Sequence, residues 1–175
     1  MKIGIISDTH NNIKNAKEAI HMLKHEGAEF IIHAGDIVEV EVLELLKKSS
    51  LRYVAVYGNN DAHLAAYHRK YNLVQEPYHF KLANTTFKLM HLPYYMNADS
   101  EVVIYGHTHT FSEDFTINGT LYLNPGESCA RNKPLSECAM LKITECQFLL
   151  TYYTKKEKDL EFKHKHFSYQ RKKDD

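Results

Sequence analysis

The sequence carries no excess charge of either sign: its 175 residues hold 22 basic and 22 acidic groups, a formal net charge of +0. Without a global positive field, general attraction to nucleic acid or to acidic membrane surfaces is excluded. Long apolar runs are missing as well. The one apolar stretch near the start, residues 3–6, is interrupted by Gly4 and followed by Ser7 and Asp8. It is too short for a signal or membrane-spanning segment, so a cytoplasmic location is expected. Cysteine is scarce: Cys129, Cys138 and Cys146 form an odd set with no CxxC spacing, in a chain long enough to fold without covalent staples. They read as reduced thiols. No internal repeat or low-complexity linker divides the chain, and 43% apolar residues suit one domain with a core of ordinary size. Tryptophan is absent and proline occurs four times, whereas histidine occurs 12 times. What matters is where the histidines sit.

Hydrophobic periodicity changes along the chain. Residues 2–7 form a short apolar run bounded by turn residues, and Ile13, Ala16, Ile20 and Leu23 then recur at helical spacing. Gly27 ends that helix, residues 30–34 read as the next buried strand, and Val38, Val42, Leu45 and Leu46 mark a second amphipathic helix before a third strand at 51–57. Buried strands separated by helices imply right-handed crossovers and a parallel sheet covered by helices. After a polar helical stretch over residues 62–72, runs of period 2 take over at 79–83, 86–90 and 102–105. Residues 111–117 and 120–124 flank Asn118-Gly119, the strongest hairpin signal in the chain, and residues 139–143 and 148–153 form a further pair. From residue 154 onward charge is dense and apolar anchors are few, apart from Phe162 and Phe167. Residues 154–175 are therefore expected to be a loosely attached or disordered tail.

Five strand ends deliver metal-ligating side chains. Ser7 is followed by Asp8-Thr9-His10, Ala34 by Gly35-Asp36, Tyr57 by Gly58-Asn59-Asn60-Asp61, Met90 by His91, and Tyr105 by Gly106-His107-Thr108-His109. In open α/β sheets the binding crevice lies beyond the carboxyl ends of the strands, so segments scattered in sequence converge there. Asp8, His10, Asp36, Asn59, His91, His107 and His109 are too many donors for one ion, and the lack of cysteine among them argues against a structural thiolate zinc. They fit two divalent cations sharing a carboxylate. Imidazole mixed with carboxylate and amide suits Mn2+, Fe2+, Zn2+ or Ni2+ better than Ca2+ or Mg2+, and Mn2+ is the expected pair. Two ions about 3.5–4 Å apart activate a water and clamp both oxygens of an in-line displacement at phosphorus, so the chemistry implied is phosphoester hydrolysis.

Taken in order, these blocks resemble the calcineurin-like metallophosphoesterase superfamily. The close spacing of the first three, with Asn124-Pro125-Gly126 after the hairpin, is similar to its small single-domain phosphodiesterase branch. The resemblance covers residues 1–153, taken as the metallophosphoesterase domain. It implies an α/β fold: a four-layer α-β-β-α sandwich with two mixed β-sheets flanked by helices. It further implies that Asp8, His10 and His109 hold the first ion, that Asn59, His91 and His107 hold the second, and that Asp36 bridges. Catalysis is assigned to Asp36, Asn59 and His10. A hydroxide bridging the ions would attack a phosphodiester of small-molecule or nucleotide-like kind, while the ions neutralise its non-bridging oxygens.

The chain departs from that pattern twice. Asn60 stands where many relatives have a histidine that contacts the phosphate or protonates the leaving group, and His63 is the nearest substitute. His91 is followed by Leu92-Pro93-Tyr94-Tyr95 where relatives continue with glycine and histidine, so this loop reads as shortened. Tyr94 and Tyr95 either stack on an aromatic part of the substrate or pack down on the domain.

Plainer readings exist for single blocks. Asp8 or Thr9 could cap the first helix, Asp36 the second, and Asn59-Asn60-Asp61 alone is a turn. Seven donors at strand ends together outweigh them. His21 and His25 have i, i+4 spacing, but Met22 stands where a metalloprotease helix needs glutamate, and both lie off the apolar stripe. His33 reads as a satisfied buried residue near the site, and His164 and His166 as part of the solvated tail. The cluster Arg171-Lys172-Lys173 is cancelled by Asp174-Asp175. A rival from another class is a protein-interaction scaffold of the same fold with weak or no catalysis, as in the retromer scaffold subunit. No membrane partner and no general nucleic-acid binding are expected, and homo-oligomer formation is left open.

Overall fold

The computed structural model describes residues 1–172, so Lys173 and the Asp174-Asp175 pair of the balanced terminus lie outside the described residues. Strand and helix alternate at first as the periodicity requires: β1 (Lys2–Ile6), α1 (Ile13–His25), β2 (Phe30–His33), α2 (Val40–Lys48) and β3 (Arg52–Val56). The helix expected over 62–72 is instead a 3-10 helix (Ala62–Tyr67) followed by a two-residue strand, β4 (Leu73–Val74). Only Leu64 of the six residues in that 3-10 helix is buried, too narrow an apolar face to seat a regular helix. The period-2 segments become β5 (Tyr78–Leu82), β6 (Thr85–Leu89), β7 (Val102–Ile104), β8 (Ser112–Phe115), β9 (Leu121–Asn124), β10 (Ser136–Ile143) and β11 (Gln147–Lys155), and a last strand, β12 (Lys163–Gln170), follows.

Two mixed sheets result, a seven-stranded one in the order β12-β11-β10-β1-β2-β3-β4 and a five-stranded one in the order β5-β6-β7-β9-β8. Burial on both faces puts β1 in the middle of the larger sheet: Ile3 and Ile5 turn toward the smaller sheet, and Ile6 turns toward the helices. Between the sheets Ile3, Ile5, Ile32, Val56, Phe87, Leu89, Ile104 and Leu123 close a core from which water is excluded. Each such side chain contributes about 1.5–3 kcal/mol by its burial. A second core forms where Ala16, Ile20 and Leu23 of α1 and Val42, Leu43 and Leu46 of α2 meet Ile31, Ala55 and Met140. Both helices, and the 3-10 helix through Leu64, pack on the larger sheet.

The far face of the smaller sheet is covered differently. Lys88 of β6 is fully buried there, donating from Nζ to Asn97 O at 2.7 Å and pairing with Asp99 at 2.5 Å, while Tyr122 Oη donates to Met96 O at 2.7 Å. The segment after His91 thus forms this outer layer, and among the described residues no helix lies on it. None of the described helices is long and apolar enough to cross a membrane.

The structure corrects the expected loose tail. β12 pairs antiparallel with β11 over eight residues, from Lys163 opposite Thr154 to Gln170 opposite Gln147. Phe167 and Tyr169 turn alternate side chains inward, their rings 5.8 Å from Phe111 and 5.1 Å from Phe115, while His164, His166 and Ser168 face solvent. Polar side chains at the outward positions, His164, His166, Ser168 and Gln170, suit a sheet edge, and with the exposed Lys163 and Lys165 they disguised a strand as a solvated tail.

Candidate metal centre

β1, β2 and β3 are mutually parallel, as are β6, β7 and β9, and the loops leaving the two sets meet at one end of the sandwich. The loops are locked to one another by backbone: Asp8 N donates to Gly35 O, His10 N to Asp36 O and Gly106 N to His91 O, each at 3.0–3.1 Å. Left-handed φ values occur at Asp8 (50°), His10 (42°), Asp36 (53°), His107 (67°) and His109 (56°). For residues with a Cβ this conformation costs about 1–2 kcal/mol each, and the interlocked loops impose it. Two glycines make the interlock feasible. A Cβ on Gly58 would stand 2.2 Å from Asp36 N, and one on Gly106 2.2 Å from Ser7 Oγ and 2.7 Å from Ala34 O.

All seven side chains singled out in the sequence arrive here. His10 Nε2 lies 3.3 Å from His109 Nε2, which lies 3.4 Å from Asp8 Oδ1, and His10 Nε2 is 3.6 Å from Asp36 Oδ2. Asn59 Oδ1 is 3.0 Å from both His91 Nε2 and His107 Nδ1, and His91 Nε2 is 3.4 Å from Asp36 Oδ1. Neither carboxylate caps a helix. Asn12 caps α1 through its own side chain, and Asp36 accepts from the Asn60 amide (3.0 Å) and Asn60 Nδ2 (2.8 Å).

Three observations fit this donor set to cations. His91 Nδ1 donates to Ala34 O at 2.8 Å and His109 Nδ1 donates to Glu127, so the Nε2 lone pair of each neutral ring points into the cluster. The two facing nitrogens of His10 and His109, and the oxygens of Asn59 and Asp36 around His91 Nε2, are therefore acceptors turned toward acceptors. Asp8 Oδ1 is fully buried and has no hydrogen-bond partner. Cations bound among these donors would satisfy all three.

Residues 1–146 match the calcineurin-like phosphoesterase superfamily domain. The chain belongs to the calcineurin-like phosphoesterase superfamily. By that membership it is a phosphoric ester hydrolase by class. Phosphodiesterase MJ0936 of Methanocaldococcus jannaschii is 31% identical over 144 residues, which cover 74% of this chain and 85% of the relative. A solved archaeal phosphodiesterase superposes with a TM-score of 0.73 at 25% identity, over 95% of this chain and 100% of its own. Vps29 of Chaetomium thermophilum, with a TM-score of 0.79 at 11% identity and 98% of each chain covered, shares the fold.

Electrostatics in this calcineurin-like centre follow from burial and neighbours. Burial raises the Asp8 carboxyl above the usual carboxylate range, and burial lowers the His10 ring below the ordinary histidine value. For Asp36 burial pushes upward, but the nearby His91 ring and two hydrogen bonds from Asn60 outweigh it and hold the carboxyl far below its usual range. Burial disfavours charge on His91, yet the Asp36 carboxylate prevails and raises its affinity for a proton.

Two supporting acids escaped the sequence reading. Glu127, fully buried, accepts from His109 Nδ1 at 2.5 Å and from the amides of Asn132 and Lys133 at 2.8 Å, so it orients the ring. Its one signal was a position directly after Asn124-Pro125-Gly126. Asp61, also fully buried, accepts from the amides of Gly58, Ile37 and Val38 at 2.7–3.0 Å and ties the Asp36 loop to the Asn59 loop. His63 turns Nε2 to Val38 O at 2.6 Å, so it is occupied beside the loop rather than directed at the site. Tyr94 and Tyr95 do not pack down: they are 74% and 50% exposed.

His33 is buried as expected, and its partners fix its tautomer: Gly35 N donates to Nδ1 at 3.2 Å and Nε2 donates to Thr9 Oγ1 at 3.0 Å. Burial pushes its pKa down to about 3, against an unfolded value of about 6.5. The folded state holds the ring neutral and the unfolded state takes a proton. Its contribution to stability is thus complete above about pH 6.5 and is lost as pH falls toward 3. Urea unfolding of chelator-treated protein at pH 7 and pH 5 should show a drop about 2 kcal/mol larger than in His33→Gln. Equal drops in the two proteins would refute this origin of acid sensitivity.

Proposed function

We propose that the protein hydrolyses small-molecule phosphodiesters, nucleotide-like ones included, at a pair of divalent cations. Asp8, His10 and His109 would hold one, and Asn59, His91 and His107 the other. The observation that carries this reading is the attitude of Asp36: Oδ2 faces His10 of one group and Oδ1 faces His91 of the other. A carboxylate so placed would serve both cations. When bound, the cations supply an activated water and neutralise the non-bridging oxygens. The chain's own residues do the positioning. Asn60 fixes the Asp36 carboxylate with two donors, Glu127 sets the His109 ring, and Ala34 O sets the His91 ring. With Asn60 engaged and His63 turned to Val38, neither is directed at a departing oxygen, which favours esters whose leaving group needs little protonation. Mn2+ is the cation proposed, and the same oxygen and nitrogen mixture also accommodates Ni2+, Fe2+ and Zn2+. Three unpaired thiols suit action in the reducing cytoplasm.

The test is hydrolysis of bis-p-nitrophenyl phosphate by chelator-stripped protein with and without Mn2+. Its good leaving group keeps the missing acid from hiding turnover. Adding Mn2+ should raise the rate by more than about 100-fold. Folded, cation-loaded protein that releases no nitrophenol would overturn the enzymatic reading in favour of a scaffold, the use suggested by the retromer-like fold.

A further inference from the structure

The centre is built from acids and lone-pair donors: Asp8, Asp36 and Glu127 around rings whose free nitrogens face inward. Such a set attracts cations and by itself repels the oxygens of a phosphate. Asn60 and His63 are occupied, so a side-chain donor that joins the cations on those oxygens would come from another direction.

Residues 127–133 provide that direction, and their backbone is fastened to the site. Ser128 N donates to Ser7 O (3.0 Å), Cys129 N to Asp8 O (3.1 Å), and Asn12 Nδ2 to Cys129 O (2.9 Å). Glu127 clasps the amides of Asn132 and Lys133 with one oxygen and the His109 ring with the other. The Cys129 sulfur and the ligand nitrogens of His10 and His109 all lie within 4.8 Å of one another. Directly after it, Ala130 takes a left-handed φ of 57°, and Arg131 follows, exposed on the rim.

Arg131 stands out by what it does not do. Among the described residues its guanidinium has no acidic partner and no hydrogen bond, whereas its neighbour Lys133 is paired with Glu137 at 2.7 Å and Arg171 with Glu101 at 2.7 Å. Two residues beyond Cys129, whose sulfur adjoins the His10 and His109 nitrogens, its side chain is long enough to reach the centre. A planar fork of donors on a fixed backbone matches two oxygens of one phosphate.

We propose that Arg131 is a substrate-binding residue that takes the non-bridging oxygens of the phosphate group held at the metal centre. This deepens the phosphodiesterase reading and rests on it for the nature of the substrate, although the phosphate contact itself requires no turnover.

The experiment uses the full chain loaded with Mn2+ and measures two things: affinity for inorganic phosphate by calorimetry, and kcat and KM on bis-p-nitrophenyl phosphate. Arg131→Ala should weaken phosphate binding and lower kcat/KM each by about 10- to 100-fold, largely through KM, with Mn2+ affinity unchanged. Arg131→Lys should recover part of the loss. Lys14→Ala removes an exposed cation beside the same groove as Ala130 and should change neither quantity by more than about 2-fold. Wild-type protein that binds no phosphate, an Arg131→Ala protein that matches it, or an equal loss in Lys14→Ala would each overturn the proposal. Phosphate affinity that depends on Arg131 without diester turnover would refute the phosphodiesterase reading and leave the Arg131 contact standing.

Discussion

Asp36→Ala protein saturated with Mn2+ is expected to hydrolyse bis-p-nitrophenyl phosphate more than about 1,000-fold more slowly than its parent, and to retain less cation after gel filtration. The side chain is buried and reaches both donor groups, so its loss removes a ligand from each and brings their remaining acceptors face to face unshielded. Asn60 would also lose the acceptor for two hydrogen bonds. Asp36→Asn separates charge from shape: it keeps an acceptor but loses the negative charge, and should fall between the two. Rates from initial velocities and cation content from elemental analysis decide the matter together. Near-normal hydrolysis by Asp36→Ala would remove the bridge from the mechanism.

Gly58→Ala should be nearly as damaging by an entirely steric route. The added methyl would lie 2.2 Å from both Asp36 N and Asp36 Oδ1. Neither atom can retreat, because Asp36 O accepts from His10 N and the carboxylate accepts from Asn60. Separating the two loops disturbs the Asp61 clasp on Gly58, Ile37 and Val38 as well. We expect a loss of about 3 kcal/mol or more in unfolding free energy, together with most of the activity. Urea titration and kcat/KM on the same preparation report the two effects. A variant as stable and as active as the parent would mean that the loops do not approach so closely.

The legible parts of the sequence were those in which one residue type has one use. Asp8-x-His10 and Gly106-His107-Thr108-His109 stood at the ends of apolar runs, and strand ends are where ligands collect, so neither depended on knowing the tertiary structure. The hairpin at Asn118-Gly119 was readable for a similar reason: the turn is chemically specific. Glu127 was not, because a buried acid after a proline-glycine turn is defined by its partners, and His109 lies 18 residues away. β12 was hidden by His164, His166, Ser168 and Gln170 at its outward positions and by Lys163 and Lys165 between them, since an edge strand shows only one face to a core. The loop over β6 was seen as short, but that Lys88 would bury itself to hold it could not be read from a charged residue in a period-2 run.

β1 has neighbours of very unequal age. On one side it pairs with β2, whose residues follow within about 30 positions, and on the other Ile3 lies opposite Leu141. While the chain is being synthesised, Asp8 and His10 therefore follow a strand whose second edge stays open until residue 141 has emerged, and the clasp that orients His109 also waits for the segment around residue 127. Contacts of such long sequence separation form slowly and as a unit. The proposed cation centre would thus be completed late in the life of the chain, long after its first ligands, Asp8 and His10, have been made.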